Sequence, residues 1–436
     1  MSIAFDTEVL INGAGAAGLT LAIELARRQI AFRLIDKSPA PFNGSRGKGL
    51  QPRSLEIFED MDVLARILAK AGPYPVMRAY SSDGFRDSHA MESRPPSAAE
   101  PYSEPLMLPQ YLTEASMRER LAEFEHAPEY GCELTGFEQE QAGVTAKIKT
   151  LNGEQSLRAR YLIGTDGGRS FVRHALNIEF PGETMKVRAV VADLVLEGLS
   201  PEYWHRWKDN PATSMALCPL RGTEYFQLQA PVPLEGEPDL SAAGLQKLIA
   251  ERTGRKDIVV HQVIWASVYS MNARLADSYR KERVFLVGDA AHIHPPTGGQ
   301  GLNTSLQDAY NLGWKLAAVL SGAPSDLLDS YEAERRPVAA GVLGLSTKLL
   351  EAYKANSDVS RGRDTQQLDI VYHDSPLNLA LPVREHALRL GDRAPDAPCY
   401  DVKKGQPTRL FKQYQGTQWI LLGYESAKVP PLREAC

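Results

Sequence analysis

One segment near the start of the chain limits its fold more than any other: Val9-Leu10-Ile11 runs into Gly13-x-Gly15-x-x-Gly18. An apolar run that stops at glycine reads as a buried strand, and Leu19, Ile23 and Ala26 then recur at helical spacing. Ala31–Ile35 is a second short apolar run, closed by Asp36. The pattern is strand, helix, strand, a βαβ unit. The first glycine permits the tight turn, the second lets bare backbone approach a pyrophosphate, and the third lets the helix pack closely on the sheet. The helix then points its partial positive charge at the phosphates. Asp36 follows Gly18 by 18 residues, where a carboxylate takes a ribose hydroxyl. This unit alone does not separate NAD from FAD.

Two later segments repeat the theme of an apolar strand ending in an acid beside glycine. One is Tyr161-Leu-Ile-Gly-Thr-Asp166-Gly167-Gly-Arg169-Ser170-x-x-Arg173. The other is Arg283-Val-Phe-Leu-Val-Gly288-Asp289-Ala-Ala-His292-Ile-His294-Pro295-Pro296-Thr-Gly298-Gly299-Gln-Gly301-Leu302-Asn303. Acids at the carboxyl ends of such strands can bond a polyol chain, and the glycines after Pro296 let backbone lie against a flat ring. Between the two blocks, Met185–Met271 changes character. Val187–Leu196, Ala216–Leu220, Tyr225–Ala230 and Val259–Val268 are alternating or β-branched and read as an inserted antiparallel sheet. Helices are expected over Pro52–Lys70, Thr113–Phe124, Thr304–Leu320 and Leu327–Ala352, the last kinked or broken at Pro337. A hairpin is expected about Asn152-Gly153, and a long loop over Ser93–Pro109.

Composition narrows the class. At roughly 150 residues per domain the length suggests two or three domains. Hydrophobic residues make up 43% and charged residues 24%, which excludes a disordered or fibrous chain. A net charge of -5 offers no excess of cations for nucleic acid. Cys132, Cys218, Cys399 and Cys436 are far apart and form no C-x-x-C, which fits a reducing cytoplasm and excludes a zinc ribbon or dithiol motif. The most apolar long stretch, Val9–Ala26, is broken by glycines and Glu24 and is no membrane span. His292 and His294 lack a third ligand, so they read as structural and no metal is expected. Trp204, His205 and Trp207 read as a substrate wall or as packing, with packing favoured, and Glu334-Arg335-Arg336 as a structural ion-pair site.

Together the three blocks resemble the class A flavoprotein aromatic hydroxylases, the family of p-hydroxybenzoate hydroxylase and phenol hydroxylase, and most closely its polyketide and rifampicin hydroxylase branch. The resemblance spans Glu8–Asn303 and runs on through Gln307-Asp308-Ala-x-Asn311-Leu-x-Trp314-Lys315-Leu and Tyr331-x-x-Glu334-Arg335-Arg336-Pro337. It implies an α/β chain with a Rossmann-like FAD-binding domain of the GR2 type, discontinuous over 1–75, 110–184 and 272–357. An α+β substrate domain carrying the inserted sheet would take 76–109 and 185–271. Arg389-x-Gly391-Asp392-Arg393-Ala394-Pro395-Asp396 resembles the opening of a thioredoxin-like third domain, and Trp419–Gly423 its first core strand. That domain would be vestigial or truncated over 388–436.

The resemblance also implies roles. Gly13, Gly15, Ala16, Ala17 and Gly18 cradle the pyrophosphate of non-covalent FAD, and Asp36 with Lys37 meets the adenosine ribose, where many relatives have Glu. Arg46 lies near the pyrophosphate and flavin, and Gln110 touches the flavin. Asp166 serves both FAD and NAD(P)H, and Asp289 holds the ribityl chain. Pro296, Gly299, Gly301, Leu302 and Asn303 line the isoalloxazine. With only one dinucleotide unit, NAD(P)H binds transiently, reduces FAD and leaves. Oxygen then gives a flavin C4a-hydroperoxide that an electron-rich aromatic ring attacks. No side chain is nominated as nucleophile or base. A non-oxygenating flavin oxidoreductase on the same fold is the alternative. A non-enzymatic binder is opposed by the intact Gly298, Gly299 and Gly301, and a halogenase by the lack of W-x-W-x-I. A homodimer is left open.

For the substrate, alternation puts Tyr225, Gln227 and Gln229 on one side of a strand and Phe226, Leu228 and Ala230 on the other. One of these faces should line the pocket, with Ser93–Pro109 near its entrance. Tyr225, Phe226 and Gln227 are the candidates. With no carboxylate-binding arginine placed in the sheet, a large flat phenol is expected rather than a benzoate.

Overall fold

The computed structural model describes residues 5–89, 91–207, 213–354, 361–379 and 388–421. Two eight-stranded sheets carry the chain. In the first, Thr7–Asn12 pairs in parallel with Phe32–Asp36 on one side and with Gly153–Gly164 on the other, and Val284–Leu286 extends the parallel set. The connections diverge at Thr7–Asn12, so its carboxyl end opens the crevice typical of a topological switch point. Asn12 registers with Ile35 and Gly164, and Gly164 with Leu286, so the three strands that precede Asp36, Asp166 and Asp289 end side by side.

Helix Ala16–Ala26 follows the first strand, and all of its residues are buried. Small side chains make this possible. Gly13 has φ +118°, and a Cβ there would overlap the Thr165 carbonyl. The helix packs on Gly301–Leu320, where Gly313 leaves room for the Glu24 side chain. Buried Glu24 is paired to Arg27 at 3.0 Å and Arg28 at 2.6 Å.

The second sheet is built about two long strands, Gly182–Glu197 and Val259–Leu275. It is antiparallel except where Tyr203–Trp207 meets Val76–Ser81. One face is closed by helix Ala242–Thr253: Val190, Leu194, Phe226, Leu228 and Ala230 share a buried cluster with Leu245 and Ile249. His292–Ile293 pairs with Arg274-Leu275 and ties this sheet to the segment that leads into Pro296.

Several local expectations shift. Pro52–Lys70 forms two helices, Pro52–Asp60 and Leu64–Leu68, because Asp62 between them takes φ +59°. The hairpin forms, but its strands close at Thr150 and Gly153, so the turn is Leu151-Asn152 and Gly153 follows it at φ +112°. Pro337 does not end its helix, which runs over Asp329–Lys354 with Tyr331 and Ala339 both buried. Packing on either side outweighs the one hydrogen bond that proline removes.

The described part of the C-terminal segment is a hairpin, Pro398–Asp401 with Gln406–Arg409, and a single turn, Leu410–Tyr414. It docks on the end of helix Pro52–Asp60 through Arg409–Glu59 at 2.7 Å and Gln415 to the Glu59 carbonyl at 2.9 Å. It adds no residue to the buried hydrophobic clusters. Trp419–Leu421 is no strand; Leu422 and Gly423 lie outside the described residues. Among the described residues no helix is long and apolar enough to cross a membrane.

Candidate cofactor and substrate site

The crevice is floored by two helix N-termini. Neither Gly15, ahead of Ala16–Ala26, nor Gln300, ahead of Gly301–Leu320, supplies a side-chain cap. Both ends therefore keep positive potential toward the crevice, with the Glu114 carboxylate reaching the Ala16 amide at the first. They converge at Gly288, where a Cβ would stand 2.8 Å from Ser305 and 3.4 Å from Ala17. Asp289 comes next. Its side chain is exposed, yet burial pushes its carboxyl up. Accessible surface on a desolvated group marks the floor of a cleft.

Asp36 accepts from the Ala14 amide at 2.8 Å and from the Ser38 amide at 2.8 Å, which fixes the carboxylate at the strand end while each oxygen keeps a lone pair. Lys37 beside it is exposed. Asp166 Oδ2 accepts from Asn12 and from the Val172 amide, both at 3.2 Å, whereas its buried Oδ1 has no hydrogen-bond partner. Arg46 is exposed, 4.9 Å from the Phe42 ring centroid and 6.0 Å from that of Trp265. Gln110 is committed to the loop: it accepts from the Gly47 amide at 3.2 Å and donates to Glu114 at 2.8 Å. Asn303 is a clamp. It accepts from the Gln51 amide and Ser54, and donates to the Gly49 and Gly299 carbonyls, all within 2.7–2.9 Å. Leu302 reaches Gly47, so the 45–51 and 298–303 loops form one wall.

A family model described as an FAD binding domain matches residues 6–346. The chain belongs to that family. It is 42% identical to a flavin-dependent monooxygenase of Mycobacteroides abscessus, over 98% of this chain and 90% of that one. A rifampicin monooxygenase of Streptomyces venezuelae is 37% identical over 77% of this chain and 69% of its own. In space, aklavinone-11 hydroxylase with FAD and aklavinone superposes with a TM-score of 0.80 at 26% identity, covering 94% of this chain and 83% of that one. The protein is a flavoprotein monooxygenase of the aromatic hydroxylase kind, with FAD as its cofactor. The residues present fit that group. Two uncapped helix ends, the accessible Asp289 carboxylate and the orphaned Asp166 oxygen border one crevice. A Cβ on Gly301 would meet nothing within 4 Å.

Behind the Pro296 segment, the monooxygenase carries a polar network in which the charges are paired, while His294 Nδ1 has no hydrogen-bond partner among the described residues. His292 Nε2–H donates to Asp308 Oδ2 at 2.6 Å, and His294 Nε2–H to His292 Nδ1 at 2.9 Å, the donor assignment that satisfies both contacts. Arg335 Nε–H reaches Asp308 Oδ1 at 2.6 Å, and its Nη1 reaches Tyr372 at 2.9 Å. Burial pushes the Asp308 carboxyl up, but Arg335 and His292 more than offset it and hold it below the usual range. Burial, with His292 beside it, pushes His294 down to about 3. The two histidines are thus accounted for by Asp308, and Arg335 by the same acid.

The inserted sheet resolves its two faces. Phe226 lies in the cluster under helix Ala242–Thr253, away from the flavin loop. Gln227 points the other way: its Nε2 donates to the Ser45 carbonyl, and its Oε1 accepts from Lys48 Nζ at 2.6 Å and from Gln229 at 2.8 Å. Tyr225 precedes the strand and is coupled to Tyr111, whose hydroxyl burial pushes up to about 12. The aromatic trio divides. His205 stacks on Tyr80 and Trp207 and is packing, whereas Trp204 faces Lys48 and Tyr74. Sequence reasoning missed Lys48, Asp193, Trp265 and Arg361, and named Trp204 while favouring packing for it. The one available signal was Lys48 itself, a lysine between two glycines in the flavin loop.

Proposed function

We propose that this monooxygenase hydroxylates a flat phenolic ring seated between the isoalloxazine and the glutamine-bearing face of the sheet. The observation that carries the reading is the Gln227 bridge to Ser45 and Lys48, which sets that face against the loop holding Arg46 and Gly47. When bound, FAD supplies two-electron reduction by NAD(P)H and the activation of O2. The chain supplies the rest. Gly13–Gly18 and the helix behind them hold the pyrophosphate, Asp36 the adenosine ribose, and Asp289 the ribityl chain. Pro296 and Gly299–Asn303 bear on the ring. The N-terminus of Gly301–Leu320 offers positive potential where a reduced ring would gather charge. Phe42, Trp265 and the sheet keep water out. A relative named for 12-dehydrotetracycline and anhydrotetracycline, from Streptomyces rimosus, is 35% identical over 95% of this chain and supports a fused-ring ligand. The free Cys132, Cys218 and Cys399 support a cytoplasmic setting.

The test is oxygen uptake and NAD(P)H oxidation against a panel of simple phenols and fused aromatic polyketides, with products identified by mass. The expected result is a flat phenol that accelerates NAD(P)H oxidation and gains one oxygen atom. NAD(P)H oxidation without oxygen incorporation into any member would favour the non-oxygenating alternative, which the named relatives do not support.

A further inference from the structure

On the sheet side of the flavin loop, elements distant in sequence bring cationic and donor groups together. Lys48 Nζ, besides its bond to Gln227, stands 4.7 Å from the Trp204 ring centroid. Trp204 is 7% exposed, and its indole N–H has no hydrogen-bond partner among the described residues. Tyr74 lies 6.1 Å from Trp204 between ring centroids, and its hydroxyl abuts Gly49. Cys218 and Met107 pack with them. Arg361 arrives from the far end of the chain, bridged to Met91, and is electrostatically coupled to Lys48, Tyr74 and Cys218.

Cations this enclosed are ordinarily paired. Among the described residues, no carboxylate lies within ion-pairing distance of Lys48 or Arg361. Burial, reinforced by Arg361, lowers the Lys48 ammonium, and burial lowers the Arg361 guanidinium despite Tyr74. The acid coupled to Lys48 is Asp193, which lies toward Ser45, and burial holds its carboxyl up at about 6. Lys48, Tyr74 and Arg361 all keep accessible surface, so they border open space rather than packed protein. The missing complement is an acceptor with negative charge.

We propose that Lys48, Arg361 and the Trp204 indole N–H form an anion-recognising end of the substrate pocket, and that the substrate is a planar aromatic bearing an anionic oxygen. That oxygen belongs to a ring carboxylate or to an ionised hydroxyl. The inference rests on the substrate placement proposed above. Gln227 holds the ammonium in place over the Trp204 ring, and the unpartnered indole N–H and the guanidinium add donors on the same side of the loop.

The experiment titrates FAD-loaded protein with anthraquinone-2-carboxylate, its neutral carboxamide, and 2-hydroxyanthraquinone on both sides of its phenol ionisation, following flavin absorbance. The charged forms should bind about ten- to a hundredfold more tightly than the neutral ones, the scale of a charge-assisted hydrogen bond. Lys48→Met and Arg361→Gln should each erase most of that preference, read as the ratio of charged to neutral affinity within each variant. A preference confined to the carboxylate identifies a ring acid, and one shared by the phenolate identifies an acidic hydroxyl; either supports the site. Equal affinity for charged and neutral forms in the wild type overturns the anion site and leaves the substrate placement standing. A preference that survives both substitutions also overturns it. No flavin perturbation by any of the three overturns the placement, and the site with it.

Discussion

Two charge clusters, one about Asp308 and one about Lys48, are built on opposite rules. Around Asp308 every charge has a partner: Arg335 on one oxygen, His292 on the other, and Tyr372 on the guanidinium. Around Lys48 the cations face an indole ring, a thiol and a phenol, with no carboxylate in ion-pairing distance among the described residues. A cluster whose charges are paired meets most of its desolvation cost from within, even with His294 Nδ1 left over. An open one keeps that cost until something else arrives. The first therefore reads as scaffold for the Gly288–Pro296 segment, and the second as a surface shaped for a ligand.

The largest effect should come from breaking the closed cluster. Arg335→Met strips one oxygen of Asp308 of its cation, and removing one partner of a buried pair costs about 3–5 kcal/mol. Urea unfolding should show a loss of that order, whereas a loss under about 1 kcal/mol would mean that Asp308 is not a structural hub. Next comes the crevice floor. Asp289→Ala should weaken FAD about ten- to a hundredfold, read from the flavin-to-protein absorbance ratio and from titration of apo-protein. Full occupancy in that variant would remove Asp289 from the ribityl assignment. A smaller effect is expected at the junction of loop and sheet. A Cβ on Gly44 would overlap the Trp265 ring, so Gly44→Ala should cost about 1–3 kcal/mol and raise the share of NAD(P)H oxidation that ends in hydrogen peroxide. Unchanged coupling would show that Trp265 does not seal the site.

The contrast between the clusters also explains what the chain disclosed in advance. The cofactor half is written in local code. Gly13, Gly15 and Gly18 with Asp36 occupy 24 residues, and each is dictated by its neighbours' backbone. Asp166 and Asp289 could be read because each ends an apolar run. The open cluster has no such grammar. Lys48 is a loop lysine, Trp204 one aromatic among several, and Arg361 follows a helix it does not belong to. They are brought together only by the tertiary fold, a loop, a strand and a late segment, and no spacing records that. Alternation correctly divided Gln227 from Phe226 but could not say which face helix Ala242–Thr253 would cover. The turn at Leu151-Asn152 missed by one residue because Gly153 serves at positive φ just after the turn rather than inside it.

Asp193 allows the comparison to be sharpened through pH. Burial holds its carboxyl up at about 6; Ser45 and Lys48 pull it back only in part, and neither oxygen has a partner in hydrogen-bond geometry. An unfolded aspartate titrates near roughly 3.9, so between about pH 4 and 6 the folded protein keeps a proton that the unfolded chain has released. Stability from this group is full below about pH 4 and declines as pH rises through about 6. His294 in the closed cluster works in the other direction. Held down at about 3, it contributes stability above roughly pH 6.5 that is lost as pH falls. The two slopes oppose each other across about pH 4–6 and partly cancel in the wild type. Asp193→Asn removes only the first. It should therefore stabilise the protein by roughly 1–2 kcal/mol at pH 8, give little or nothing near pH 4, and expose the steeper acid loss due to His294. Urea unfolding at pH 8, 6 and 4.5 resolves the three cases. A variant no more stable than wild type at pH 8 would mean that the ionised carboxylate is compensated in the folded state, and the cluster around Lys48 would then be closed like the other.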